Sequence, residues 1–175
     1  MLSAAEIPSP LGRLILMADD QGLCRIVLPG CGPVRDHRTI AIADHPLLAE
    51  AGRQIDQYFA GRRTAFHLRL SMAGTEFQRA VWRLLTRIPY GTTKSYGALA
   101  RELGGVGKAR AVGAAAHANP LPLVIPCHRL VGADGSLTGF AGGLELKRQL
   151  LRHEGIPGAN GKTTKKIIEK QPDNR

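Results

Sequence analysis

The sequence predicts two folded units in series, an α/β first half and a mostly α second half that contains a helix-turn-helix. Three observations carry that expectation. Short apolar, β-prone runs bounded by turn residues open the chain. Apolar residues at helical spacing dominate after residue 73. Two short helical stretches there are joined by a tight glycine turn, Gly104–Gly107. The expected organisation is an N-terminal α/β support domain at 1–72, a C-terminal domain at 73–156, and a basic, mobile tail at 157–175.

Each element has a local reason. Gly12–Ala18 and Leu23–Leu28 are apolar and flank Asp19-Asp20-Gln21-Gly22, which predicts a β-hairpin. Pro29–Pro33 breaks regular structure. Pro46–Gly61 places Leu47, Leu48, Ala51, Ile55, Tyr58 and Phe59 at helical spacing, with Gly61 as its stop. Ala65–Leu70 alternates and predicts one more strand, and Ser71–Thr75 reads as a linker. Glu76–Ile88 carries Phe77, Val81, Trp82, Leu84 and Leu85 on one broad helical face, ended by Pro89-Tyr90-Gly91. Ser95 can cap a helix running to about Leu103. Gly104-Gly105-Val106-Gly107 then makes a tight turn into a second, alanine-rich helix at Lys108–Ala118. That pair is the helix-turn-helix pattern, which many all-α proteins also contain. Asn119-Pro120-Leu121-Pro122 ends it. Leu123–Ile125 is a short buried run, and Leu144–Glu154 is the last helix, followed by Gly155.

Composition excludes several classes. No apolar run is long enough to cross a bilayer. The start MLSAAEIPSP lacks the basic-then-apolar pattern of a secretory signal. Cys24, Cys31 and Cys127 form no C-x-x-C pair, and an odd, sparse count suits a reducing compartment. The expected location is the cytoplasm, on the nucleoid if the source is bacterial, with no membrane partner. Cys24, Cys31, His37 and His45 lack metal-site spacing, so neither a metal nor a cofactor is expected. Gly104–Lys108 lacks the spacing and the Ser/Thr of a phosphate-binding loop. The net charge is +10, divided as +1 over 1–72, +6 over 73–156 and +3 over 157–175. Such a patch attracts a polyanion. From charge alone, a nucleic-acid partner and a merely soluble basic surface stand level.

Cys127 is the candidate nucleophile, in Ile125-Pro126-Cys127-His128-Arg129-Leu130. A free thiol has a pKa of about 8.5, so a neighbouring base or cation must raise its thiolate fraction. Lone cysteines are usually inert. The flanking proline and the His-Arg pair favour reactivity. Glu154, at the end of the last helix, is the candidate orienter of a histidine, against the ordinary reading of a surface glutamate. The slim helix containing Ala109, Ala111, Gly113, Ala114, Ala115, Ala116 and Ala118 can approach another surface closely. That surface is either a protein core or a narrow DNA groove, with Arg110 as a probe and Tyr96 nearby.

Over residues 95–155 the chain resembles the methylated-DNA–protein-cysteine methyltransferases, the O6-alkylguanine-DNA alkyltransferases. The matching strings are SYGALA (95–100), KARAVGAA (108–115), NPLPLVIPCHRL (119–130), GFAGG (139–143) and KRQLLRHEG (147–155). FQRAVWRLLTRIPYG (77–91) belongs to the same pattern, whereas SPLG (9–12) and DQYFAG (56–61) match more loosely. The resemblance implies a ribonuclease H-like first domain and a single-turnover repair reaction. It also implies a protein that binds double-stranded DNA through the minor groove and flips out O6-alkylguanine, with O4-alkylthymine as a second substrate, and that then takes the alkyl group irreversibly onto a cysteine.

Carried over by residue, Cys127 is the acceptor, His128 the water-linked base and Glu154 its orienter. Tyr96 helps rotate the nucleotide and donates toward the departing guanine. Asn119 ties the recognition helix to the active-site turn, and Arg129 organises that turn. Arg110 fills the vacated stack, with Lys108, Ala111, Gly113 and Ala114 also at the DNA. Tyr96, Trp82, Pro122, Leu130, Phe140 and Ala141 are the expected pocket. The protein is expected to act as a monomer, with cooperativity on DNA open. All the chemistry is expected in the C-terminal domain.

Phe140 and Ala141 stand where relatives often carry tyrosine and serine, and Ala116 is smaller than some counterparts, which predicts a roomier pocket. Some animal relatives bind zinc in the first domain; only Cys24 falls near such a position here. The competing expectations are a non-catalytic alkylated-DNA recognition protein, a cysteine hydrolase or thiol-redox protein, and a transcription regulator. Cys127 argues against the first. The second leaves Arg110 and Tyr96 without a role. The chain has no room for the regulatory domain of the third.

Overall fold

The computed structural model describes residues 2–32 and 38–156. His37 and the basic 157–175 segment lie outside the described residues. A four-stranded sheet comes first, built from β1 (Ser3–Ile7), β2 (Leu14–Ala18), β3 (Leu23–Val27) and β4 (Arg38–Thr39) in the order β3-β2-β1-β4. β2 pairs antiparallel with both β1 and β3, and β1 pairs parallel with β4. The expected hairpin is β2–β3. The longest of the strands that the sequence pattern did not signal is β1; the two-residue β4 is another. Ile7 is the one strong β-former in the SAAEI of β1, yet the strand sits inside the sheet, and its small Ala4 and Ala5 are both buried.

Helix α1 (Pro46–Phe59) lies against the sheet, its buried residues Leu48, Ala51, Ile55 and Tyr58 following the helical repeat. Gly52 makes room for Ile42 of the 3-10 turn that precedes α1, because a Cβ there would meet Ile42 Cδ1 at 2.8 Å. The expected strand at Ala65–Leu70 does not form. Gln54 of α1 takes both backbone groups of His67, accepting from its N–H at 2.8 Å and donating to its carbonyl at 2.9 Å. Only Leu70 makes a bridge, to Leu23. One side chain thus replaces a strand ladder.

The second half holds α2 (Glu76–Leu85), β5 (Lys94–Ser95), α3 (Tyr96–Glu102), α4 (Ala109–His117), β6 (Leu130–Val131) and α5 (Leu144–His153). Thr75 and Gln78 form a capping box that starts α2. Ser95 caps α3 by accepting from Ala98 N at 3.1 Å. Helices α3 and α4 are the expected helix-turn-helix pair, with a 3-10 turn at Val106–Lys108 inside the glycine connection. One continuous hydrophobic core runs from Leu14, Leu16 and Tyr58 to Trp82, Leu99, Val112, Ile125 and Leu150. β3 also braces the second half directly, since Ile26 N donates to Pro120 O at 2.8 Å. No helix among the described residues is long and apolar enough to cross a membrane.

Candidate active site

The site is assembled by four local devices. The first is the pairing of β5 with β6, which sets Lys94 opposite Leu130 and Ser95 opposite Val131. This parallel bridge places the start of α3, and so Tyr96, beside the 3-10 turn Cys127–Arg129.

The second device is Asn119, buried just after α4. Its Oδ1 accepts from Leu121 N at 2.9 Å. Its Nδ2 donates to Ile125 O at 2.8 Å and reaches Cys127 Sγ at 3.1 Å. The loop it closes contains Leu123 at φ 75°, a left-handed backbone for a branched residue. Such a conformation costs roughly 1–3 kcal/mol and persists only where the surroundings over-determine it. Here the Asn119 bonds and the burial of Leu123 do so.

The third is the carboxylate of Glu154, which α5 delivers to the protein interior. Glu154 Oε1 pairs with His128 Nε2 at 2.6 Å and accepts from Arg129 Nη2 at 3.0 Å and Tyr58 OH at 2.8 Å. Glu154 Oε2 accepts from Arg129 Nε at 2.9 Å and from Gly91 N at 3.2 Å. Arg129 also donates to Ile88 O at 2.5 Å. Burial pushes the Glu154 carboxyl upward, but the bonds and charges of His128 and Arg129 together outweigh it and hold the group ionised, well below the usual range. Burial lowers the His128 pKa against the pull of Glu154, so the ring is neutral. An ionised carboxylate can only accept, so His128 Nε2 carries the hydrogen and Nδ1 keeps a lone pair. That Nδ1 is the one buried side-chain polar atom among the described residues with no hydrogen-bond partner. A neutral base with an open acceptor, one residue from a thiol, can take a proton.

The fourth is Lys147, buried on the apolar face of α5 with Leu150, Leu151 and Glu154. Its Nζ donates to Thr138 O at 2.7 Å and Gly139 O at 3.2 Å, and lies 3.5 Å from Tyr96 OH. Tyr96 OH itself donates to Thr138 O at 2.8 Å. Burial drives the Lys147 pKa down to about 8, partly opposed by Cys127. For Cys127, burial raises the pKa, while the Asn119 bond and the Lys147 charge pull it back; the net direction is up. The resting group is therefore a thiol that needs a base.

Cys127 opens onto a cavity of about 220 Å³ lined by Tyr96, Gly113, Ala116, His117, Thr138, Gly139 and Phe140. Of the residues expected in the pocket, Tyr96 and Phe140 line it. Trp82 does not; it is buried, donating Nε1–H to Ala115 O at 2.8 Å, and so locks α2 to α4. Leu130 is core, fixed in β6. Pro122 and Ala141 face a separate cleft of about 520 Å³ beside β3, shared with Cys24 and Cys31. Arg110, Ala111 and Ala114 form the exposed face of α4, opposite buried Val112, Ala115 and Ala116. Gly113 lies against the Tyr96 ring, where a Cβ would come within 3.8 Å. Lys108 is exposed and ties its Nζ to Leu103 O at 2.6 Å. No group of three or more His, Cys, Asp or Glu side chains that could hold a metal ion occurs among the described residues.

Sequence reasoning missed Lys147 and Tyr58. Lys147 had a signal, a lysine on the apolar stripe of an amphipathic helix. Tyr58 had none, because 96 positions separate it from the carboxylate it meets.

Both halves of the chain match known proteins. The profile of the "6-O-methylguanine DNA methyltransferase, ribonuclease-like domain" matches residues 4–72, and that of the "6-O-methylguanine DNA methyltransferase, DNA binding domain" matches 76–156. A methylated-DNA–protein-cysteine methyltransferase of Methanosarcina acetivorans is 40% identical over 156 residues, covering 86% of this chain and 97% of its own. A protein of the same name from Mycobacterium leprae is 42% identical over 154 residues, covering 88% and 93%. The structure of Mycobacterium tuberculosis OGT in complex with DNA superposes with a TM-score of 0.79 at 39% identity, covering 87% of this chain and 92% of that one. Both halves of the chain, with its sheet domain, its helical domain and its buried cysteine site, thus belong to the 6-O-methylguanine DNA methyltransferase family.

Proposed function

We propose that Cys127 is the alkyl acceptor of a DNA-repair protein that reverses O6-alkylguanine damage directly, once per molecule. The family's activity, transfer of an alkyl group from DNA to a protein cysteine, is the activity of this chain. The observation that carries the assignment of Cys127 is its position at the cavity, next to a neutral His128 whose Nδ1 is an open acceptor.

The reaction follows from the groups present. His128 takes the thiol proton, directly or through a water, and Glu154 holds the ring with Nδ1 free to accept it. The imidazolium so formed faces an ionised carboxylate. The Asn119 N–H and the Lys147 charge stabilise the thiolate. Sulfur attacks the alkyl carbon, the C–S bond forms and the O6–C bond breaks with its electron pair leaving on guanine. Tyr96 donates a hydrogen bond to the departing base, exchanging its present contact with Thr138 O, and the proton held on His128 returns through solvent to neutralise the guanine anion. The product is a thioether and an intact guanine; no group in the site reverses the step.

Duplex DNA is the partner, met by the exposed face of α4 in the minor groove. Its side chains at Ala111 and Ala114 are small enough for close approach. Arg110 makes no hydrogen bond or ion pair among the described residues and is suited to enter the stack where the flipped nucleotide leaves. Flipping costs a few kcal/mol. Phosphate contacts from the second half, at +6 over 73–156, offset it. The same reading extends to O4-alkylthymine, to a monomer working in the cytoplasm, and to the division 1–72, 73–156 and 157–175, which the two profile matches support. Cys127→Ala tests it: the variant is expected to retard alkylated duplex as the wild type does while restoring no guanine. Retained guanine restoration would refute the assignment.

A further inference from the structure

The N-terminal domain reaches the reacting centre. Tyr58, on α1, is fully buried and donates its hydroxyl to Glu154 Oε1 at 2.8 Å. That oxygen is the one paired with His128 Nε2 at 2.6 Å. Tyr58 is also anchored from both sides. Its carbonyl accepts from His153 Nε2 at 2.8 Å, and its ring packs against His153, Phe59, Phe66 and Tyr90 at 4.8–5.9 Å. Burial and the facing carboxylate both favour its protonated form, so it acts only as a donor.

We propose that Tyr58 is a positioning residue for alkyl transfer: its hydroxyl holds Glu154 Oε1 in place and limits how strongly that carboxylate draws on the His128 ring. The proposal rests on the assignment of His128 and Glu154 to the proton relay. A hydrogen bond to a carboxylate spreads its charge and lowers its basicity. Oε1 serves three donors, from Tyr58, His128 and Arg129. With one removed, the others share a more basic oxygen. Glu154 then stabilises an imidazolium better, and His128 stays protonated to higher pH, where it cannot accept the thiol proton. The charged and titratable groups around this pair are few. They are Arg129 and Cys127 on the 3-10 turn, Lys147 and His153 on α5, Tyr90 after α2, and Tyr58 itself on α1. Tyr90 donates to His153 O at 3.1 Å and not to the carboxylate.

The test is single-turnover methyl transfer by the full chain from a duplex carrying O6-methylguanine, followed over pH, with the methylated peptide identified. In Tyr58→Phe the acidic limb of the rate profile is expected to move up by about half a pH unit or more, with the rate falling on that limb. Tyr90→Phe removes a hydroxyl from the same aromatic cluster and is expected to leave the midpoint in place. 3-Fluorotyrosine at position 58 keeps the shape and strengthens the donor, so its limb is expected to move down; this arm stands even if Tyr58→Phe fails to fold. Coincident profiles for wild type and Tyr58→Phe would overturn the proposal, as would shifts of the same sign for the two position-58 variants. A methyl group found on a residue other than Cys127 would overturn the relay reading beneath it.

Discussion

Asn119 Nδ2 sits 3.1 Å from Cys127 Sγ, and the same nitrogen donates to Ile125 O at 2.8 Å. One buried amide therefore both shapes the active-site loop and offers a donor to the sulfur as it becomes anionic. Among the contacts of Cys127 it is the largest that opposes burial. Asn119→Ala should raise the thiol pKa further and slow methyl transfer. Loss of a hydrogen bond to a charged group, about 1.5–3 kcal/mol, corresponds to roughly 10- to 150-fold in rate. Single-turnover rates over pH check this; an unchanged rate would mean that the amide serves the loop alone.

Acid should weaken the fold through the same centre. The Glu154 carboxyl is held at about 2 from an ordinary 4.5, so its contribution is complete above about 4.5 and is lost as pH falls toward 2. His128 is buried neutral with a lowered pKa, so it too costs stability as pH drops below its ordinary 6.5. Both signs agree. Urea midpoints across pH should therefore fall toward acid. Glu154→Gln should flatten that slope and destabilise the protein by about 3–5 kcal/mol at neutral pH, because Arg129 would keep a buried charge without its partner.

Arg110 separates DNA handling from chemistry. It lies on the exposed face of α4, whereas Cys127, His128 and Glu154 are buried. Arg110→Ala should slow repair of duplex O6-methylguanine by about tenfold or more, yet leave reaction with free O6-benzylguanine within about twofold. Equal losses on both substrates would contradict the stack-filling role.

The cavity wall predicts alkyl breadth. Ala116 and Gly113 present almost no bulk to the space in front of Cys127. Transfer from benzyl guanine should therefore proceed alongside transfer from methyl guanine. Ala116→Leu should cut the benzyl reaction by about tenfold or more relative to methyl, the scale on which a hydrophobic pocket discriminates. Refusal of benzyl by the wild type would show that Phe140 or the Thr138–Gly139 loop closes the space.

Much of this was legible in the sequence because it is local. Helices α1, α2 and α5 follow from apolar spacing, α3 from its Ser95 cap and α4 from its alanine run, whereas Thr75, which reads as part of a linker, proves to cap α2. The loop from Asn119 to Arg129 is a contiguous string whose residues do meet in space. What escaped depends on distant partners. β1 is a strand because it is enclosed, not because SAAEI favours one. Ala65–Leu70 looks like a strand by alternation, but Gln54 satisfies the His67 backbone instead. Trp82 belongs to the resemblance over 77–91, yet its indole turns to Ala115 and away from the cavity. Tyr58 joins the relay only through the packing of α1 on the second half, which no periodicity encodes.

The central claim is that Cys127 accepts the alkyl group from DNA. Its most direct test is the mass of the intact protein and of its peptides after incubation with a duplex carrying a single O6-methylguanine. The expected result is one added methyl group, on the peptide that contains Cys127, with the guanine restored. An unmodified protein that still retards the damaged duplex under reducing conditions would contradict the claim and identify a recognition protein instead.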